Sequence, residues 1–97
     1  MLKHIVMWKL NNDNAMQNSQ KIKKLLENLY GKIPELKSIK VFQSITNSNY
    51  TSHDLILECE FNNFNELEIY QNHPLHQEVV AFIKENTNSR VCIEYEI

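Results

Sequence analysis

Residues 2–10 read LKHIVMWKL, and this stretch decides the fold because it is apolar on both of its faces. In an extended strand, successive side chains point to opposite sides of the sheet. One face of this strand carries Leu2, His4, Val6, Trp8 and Leu10. The other face carries Ile5 and Met7 between two lysines. A strand of this kind is predicted to lie in a sheet that is covered on both sides.

The rest of the chain alternates between helical and strand patterns. Apolar residues three or four positions apart, from Met16 to Tyr30, predict a helix that ends at Gly31, and Pro34 prevents its continuation. Strands are predicted near 36–45 and over 53–61, joined by a polar hairpin loop. A second helix follows the asparagines at 62–65, breaks at His73-Pro74 and resumes, and a last strand covers 90–97.

The predicted order is therefore β-α-β-β-α-β. This order is typical of an α+β, ferredoxin-like domain with a four-stranded antiparallel sheet and helices on one face. No repeat or linker divides residues 1–97, so a single domain is predicted. The sheet face without helices needs a cover, and two such sheets packed face to face would close a barrel around a cavity. We therefore expect a homodimeric α/β barrel.

Composition narrows the classes of partner and cofactor. The net charge is −2 without a basic block, so a nucleic-acid partner is not indicated. No apolar run is long enough for a membrane span, and without an address signal the cytoplasm is the expected location. Cys59 and Cys92 lie in apolar strand patterns and are expected to be buried, reduced thiols. His73 and His76 have the spacing of a metal pair but no defined third ligand, so neither metal nor cofactor is expected.

Several motifs together resemble one known family. They are KHIV at 3–6, IPEL at 33–36, the strand 54–61, YQNHPLH at 70–76 and IEY at 93–95. The chain is similar over nearly its whole length to the stress-responsive A/B barrel (Dabb) family of the dimeric α/β barrel superfamily. The resemblance implies a dimeric α/β barrel. Most members have no established reaction, and the best-understood one is a plant polyketide cyclase that closes a ring by aldol condensation without metal or organic cofactor.

The resemblance also implies roles for individual residues. Positions that match His76 and Tyr70 act in the cyclase as base and polar partner, which suits an aldol closure. His4 lies on an apolar face and joins them as a candidate, and Glu94 is either the carboxylate that orients His76 or an exposed strand charge. Tyr70 is alternatively a helix-face aromatic whose hydroxyl reaches a surface partner. His76 is alternatively a structural group bonded to the backbone.

One departure separates this chain from the cyclase. Leu26 stands where the cyclase has a pocket tyrosine, which favours an apolar cavity over the same reaction. The expected function is accordingly a stress-related dimer that binds a small apolar ligand, and the alternative is an aldol-type cyclase or lyase. A more distant alternative is a cofactor-independent or haem-degrading monooxygenase. The residues expected to line the cavity are Val6, Trp8, Leu26, Ile39 and Leu57.

Overall fold

A computed structural model describes residues 1–97 as one four-stranded sheet with three helices. In chain order the elements are β1 (Leu2–Leu10), α1 (Ala15–Glu27), β2 (Ser38–Gln43), β3 (Leu55–Phe61), α2 (Phe64–Asn72), α3 (Pro74–Asn86) and β4 (Thr87–Glu96). The strands pair antiparallel in the order β2-β3-β1-β4. The α+β, ferredoxin-like prediction is confirmed, with the second helix divided in two.

The core lies between the sheet and the helices. The even-numbered face of β1 is buried along its whole length, as the alternation predicts, and Val6 is only 1% exposed. Ile22 and Leu26 of α1 pack into the same core, which also takes Val79 and Ile83 from α3. His4 is buried among these apolar side chains, so its polar atoms must find partners inside the fold.

The break between α2 and α3 follows directly from local sequence. Asn63 caps α2, since its side-chain oxygen accepts from Glu66 N at 2.9 Å. His73 has an extended backbone, and its Nδ1 accepts from Leu75 N at 3.1 Å, so it caps the next helix. Pro74 then occupies the first helical turn, where its missing N–H costs nothing. His73 is thus a helix cap, as its position before proline suggests.

Several predicted boundaries are shifted by two to four residues. The first helix ends at Glu27, because the following residues form tighter turns such as Leu29 N to Leu26 O at 3.1 Å before Gly31 takes a φ of 86°. Strand β2 is shorter than expected. Strand β4 begins at Thr87 because its polar start pairs with β1 through backbone atoms, which need no apolar side chains.

The other side of the sheet is uncovered and carries apolar residues beside charged ones such as Lys3 and Glu58. We call this surface the open face; its apolar members are Ile5, Met7, Phe42, Ile56, Val91, Ile93 and Tyr95. Ile93 is 60% exposed and Phe42 49% exposed. A contiguous apolar patch of this kind is typical of an interaction surface. None of the three helices combines the length and apolar character needed to cross a bilayer.

Candidate functional site

A pocket with a volume of about 660 Å³ lies between the sheet and α1 and α3. Its apolar wall comes from both layers and consists of Val6, Trp8, Leu26, Leu57, Val80 and Ile83. Its polar wall includes Gln71, Gln77, Lys84 and Arg90. The volume is in the range of small-molecule sites, and the mixed lining suits a ligand with an apolar body and a polar end.

The pocket lies inside one subunit, whereas the cavity expected for Trp8 is the one inside the dimeric barrel. Trp8 and His4 belong to the face that the helices cover, because the alternation of β1 puts them on the opposite side from the open face. Four of the expected cavity residues do line the pocket, namely Val6, Trp8, Leu26 and Leu57. Ile39 does not, because β2 lies at the edge of the sheet away from β4 and the pocket extends toward β4.

His76 is held in a defined orientation at the pocket wall. Its Nδ1 lies 3.1 Å from the backbone oxygen of Gln71, and the ring packs against Tyr70 with centroids 4.3 Å apart. Because a carbonyl oxygen can only accept, Nδ1 carries the proton and Nε2 keeps a free lone pair. Burial lowers the pKa of His76 and outweighs the opposing effect of the Gln71 bond. The neutral imidazole is therefore a fixed hydrogen-bond acceptor.

His4 is a second neutral imidazole in the same pocket. Its Nδ1 lies 3.0 Å from Glu94 Oε2, and its Nε2 lies 3.5 Å from the side-chain nitrogen of Gln71. Burial lowers the pKa of His4 even though Glu94 acts in the opposite direction. The carboxylate accepts the Nδ1 proton and thereby fixes the tautomer.

Glu94 therefore orients His4 rather than His76. The two residues are directly opposite each other in the β1–β4 pairing, and this register decides which histidine the carboxylate reaches. The pKa of Glu94 is lowered, first by the hydrogen bond from the Cys92 thiol and then by the bond from His4. Glu94 itself does not line the pocket.

Tyr70 lies beneath the site and does not line the pocket. Its side chain is fully buried, with the ring 5.1 Å from that of Phe61, and its hydroxyl has no hydrogen-bond partner. The Cys59 thiol is near enough to affect its pKa without forming a bond of ordinary geometry, and burial raises that pKa well above the usual value for tyrosine. The expectation of a surface partner for the hydroxyl is wrong. The contact that Tyr70 makes with the site is the packing of its ring against His76.

The sequence matches the family model of the Stress Responsive A/B Barrel Domain over residues 2–97. The chain belongs to the Dabb family. No curated protein resembles the sequence closely enough to count as a match.

Three solved structures illustrate what this Dabb domain is similar to. A Bacteroides fragilis protein, described as dimeric, ferredoxin-like and of unknown function, is 28% identical, with a TM-score of 0.85 over 99% of this chain and 95% of that one. A hydroxynitrile lyase from Passiflora edulis is 17% identical, with a TM-score of 0.86 over 99% and 92% of the two chains. An antibiotic biosynthesis monooxygenase is 14% identical, with a TM-score of 0.78 over 100% and 98%. The last two likenesses concern the fold alone.

His4, Cys92 and Glu94 form a cluster at the edge of the pocket that the sequence alone does not predict. Cys92 is exposed rather than buried, because β4 is an edge strand and the helices do not cover its later residues. Its Sγ donates to Glu94 Oε2 at 2.8 Å and lies 3.6 Å from His4 Nδ1. Burial and the Glu94 carboxylate raise the pKa of Cys92 to about 11. The sequence does show, by alternation, that Cys92 and Glu94 lie on the same face of the last strand. It does not show that they lie beside His4, because that depends on the pairing of β4 with β1.

Proposed function

We propose that this Dabb chain forms a homodimer in which each subunit binds a small, largely apolar molecule with an acidic or carbonyl oxygen. The observation that carries the proposal is a pocket of small-molecule size whose wall holds two buried histidines in fixed, neutral states. Trp8 and Leu57 supply an apolar surface on one side of the pocket. Lys84 and Arg90 supply positive charge at its exposed edge.

The homodimer is supported by the open face. Its apolar side chains form a patch around Ile5 and Met7, and members of this patch such as Met7, Val91 and Ile93 remain substantially exposed in one subunit. Packing this surface against a second copy removes it from water, and a two-fold axis makes the surface complementary to itself. The related Bacteroides fragilis protein is described as dimeric. We further propose a cytoplasmic location, since both cysteines are free thiols.

Ligand binding is expected to quench the fluorescence of Trp8, which is the only tryptophan in the chain and lies in the pocket wall. We would titrate the protein with aromatic carboxylic acids, phenols and their neutral analogues. Replacing Lys84 with glutamine is expected to weaken the binding of the acids about two- to fivefold and to leave the neutral compounds unaffected, because the exposed ammonium group acts only on the charged ones.

Lys24→Gln is the matched control, since Lys24 is exposed on α1 and does not line the pocket. Equal binding of the acids to the Lys84 and Lys24 variants would contradict the role of the pocket edge. If no member of the panel changes Trp8 fluorescence or is retained in native mass spectrometry, the binding proposal itself fails.

A second candidate function is cofactor-independent proton transfer of the lyase or cyclase type, with His76 as the base. It is favoured by the Gln71 carbonyl, which ties up the Nδ1 proton and leaves Nε2 free to accept. In the proposed step, Nε2 takes a proton from a carbon next to a carbonyl group, and the C–H electrons pass to the carbonyl oxygen as an enolate. The side-chain amide of Gln71 lines the same pocket and is a suitable donor to that oxygen. In this scheme the Gln71 amide is the hydrogen-bond donor to the enolate, because the Tyr70 hydroxyl is buried away from the pocket.

The exchange of substrate C–H for deuterium in D₂O, followed by NMR, tests this step without knowledge of the final product. His76→Asn is expected to slow the exchange by about 10²- to 10⁴-fold, because asparagine has no basic nitrogen. Because burial lowers the pKa of His76, exchange by the unaltered protein should persist below the ordinary histidine pKa of 6.5 and decline as the imidazole is protonated. His53→Ala is the control, since His53 lies outside the pocket. Equal exchange rates in both variants would exclude His76 as the base.

A further inference from the structure

We propose that His4, Cys92 and Glu94 bind one zinc-class divalent ion at the outer edge of the pocket, a role that goes beyond the proposed function. The ligand atoms His4 Nδ1, Cys92 Sγ and a Glu94 carboxylate oxygen all lie within 4.8 Å of one another. They converge because Glu94 is the β4 partner of His4, and Cys92 lies two residues earlier on the same face of that strand. Thiolate, imidazole and carboxylate are the ligand types that Zn²⁺ prefers.

The spacing of the three atoms is close to that of a tetrahedral site. Metal–ligand bonds of 2.0–2.3 Å place neighbouring ligand atoms roughly 3.3–3.6 Å apart at tetrahedral angles. Here the sulfur lies 3.6 Å from His4 Nδ1, the carboxylate oxygen lies 3.0 Å from the same nitrogen, and sulfur and oxygen lie 2.8 Å apart. An ion would therefore replace the present hydrogen bonds after a movement of Glu94 of less than about 1 Å.

Charge and access also suit a divalent ion. A Cys92 thiolate and the Glu94 carboxylate together supply two negative charges, and His4 is a neutral donor. Cys92 and Glu94 are exposed, so an ion reaches them without opening the core, whereas His4 is held rigidly by the buried strand. Arg90 acts against the site, since its positive charge is close enough to affect all three residues. Three protein ligands leave a fourth position for water or another ligand.

Binding of the ion would change the pocket through His4. The ion takes the place of the Nδ1 proton, so that proton moves to Nε2, while the Cys92 thiol proton is released to solvent. In the absence of the ion, Nε2 is an acceptor that faces the Gln71 amide, and in its presence Nε2 becomes a donor. With the ion bound, the pocket therefore favours a ligand, or an orientation of the Gln71 amide, that places a hydrogen-bond acceptor next to His4 Nε2.

Titration with Co²⁺, which replaces Zn²⁺ in tetrahedral sites and has visible spectra, tests the proposal on the full chain. We expect one Co²⁺ per chain, a thiolate-to-cobalt charge-transfer band, release of one proton and displacement by Zn²⁺ but not by Mg²⁺. Cys92→Ala should abolish the band and weaken binding at least about 100-fold, and Glu94→Gln should weaken it by about 10- to 100-fold. Arg90→Gln should tighten it, and His53→Ala should leave it unchanged.

Cys92 and Glu94 are exposed, so both key variants are expected to fold, and far-ultraviolet circular dichroism checks this. The absence of a thiolate band, or Co²⁺ binding that survives Cys92→Ala unchanged, would overturn the metal site. The Trp8 fluorescence titration in metal-free buffer is a separate measurement. The two measurements therefore distinguish a protein that binds the ligand but no metal from a protein that binds the metal but no ligand.

Discussion

Ile93→Asp is expected to convert the homodimer into monomers. Ile93 is 60% exposed on the open face and lies opposite Ile5 in the β1–β4 pairing. A two-fold interface repeats each substitution, so the dimer would have to bury two carboxylates without partners. We expect the dissociation constant to rise at least about 100-fold, because burying an unpaired charge costs several kcal/mol. Sedimentation velocity over a range of concentrations measures the change.

Ile69→Asp is the matched control, since Ile69 is also an exposed isoleucine, at 42%, but lies on α2 on the other side of the sheet. The control should remain dimeric. A dimer that survives Ile93→Asp and dissociates with Ile69→Asp would assign the interface to the helices. A monomeric unaltered protein at all accessible concentrations would contradict the homodimer.

The first strand shows how much of the fold sequence can determine. Its alternation predicts both of its bounds and its buried face, because a strand that is buried on one side must keep period two along its length. The helix break at His73-Pro74 is equally predictable, since proline restricts the residue before it and lacks an N–H. These are local constraints that act within a few residues.

The arrangement of the site depends on long-range geometry that the sequence does not display. Glu94 and His4 are 90 residues apart, and only the register of β4 against β1 makes them partners. The sequence indicates Glu94 as an orienting carboxylate but assigns it to His76, because only the register shows that its partner is His4. The same register brings Cys92 to His4, so the sequence alone does not show the cluster of these three side chains. Cys92 is exposed because β4 is an edge strand whose later residues no helix covers. The apolar pattern of the strand predicts burial and does not show whether a helix covers that face.

Substitutions of Tyr70 test two roles: the polar partner that the family resemblance implies, and the packing role that its buried surroundings support. Tyr70→Phe removes a buried hydroxyl that has no hydrogen-bond partner, and it keeps the ring that packs against Phe61 and His76. We expect the free energy of unfolding to rise by about 1 kcal/mol, because an unsatisfied buried polar group costs about 1–3 kcal/mol. Ligand binding and deuterium exchange should be unchanged. Thermal and urea denaturation give the stability.

Tyr70→Ala is expected to have the opposite effect on stability. It deletes a fully buried ring and should lower the free energy of unfolding by about 3–5 kcal/mol, as large-to-small aromatic substitutions do in a packed core. Tyr30→Phe is the control for the loss of a hydroxyl, since Tyr30 is 59% exposed and its variant should be neutral. If Tyr70→Phe keeps its stability but loses deuterium exchange, the hydroxyl acts in the reaction and must reach the pocket by a movement of α2. If exchange persists, the contribution of Tyr70 to the site is the ring that holds His76 in place.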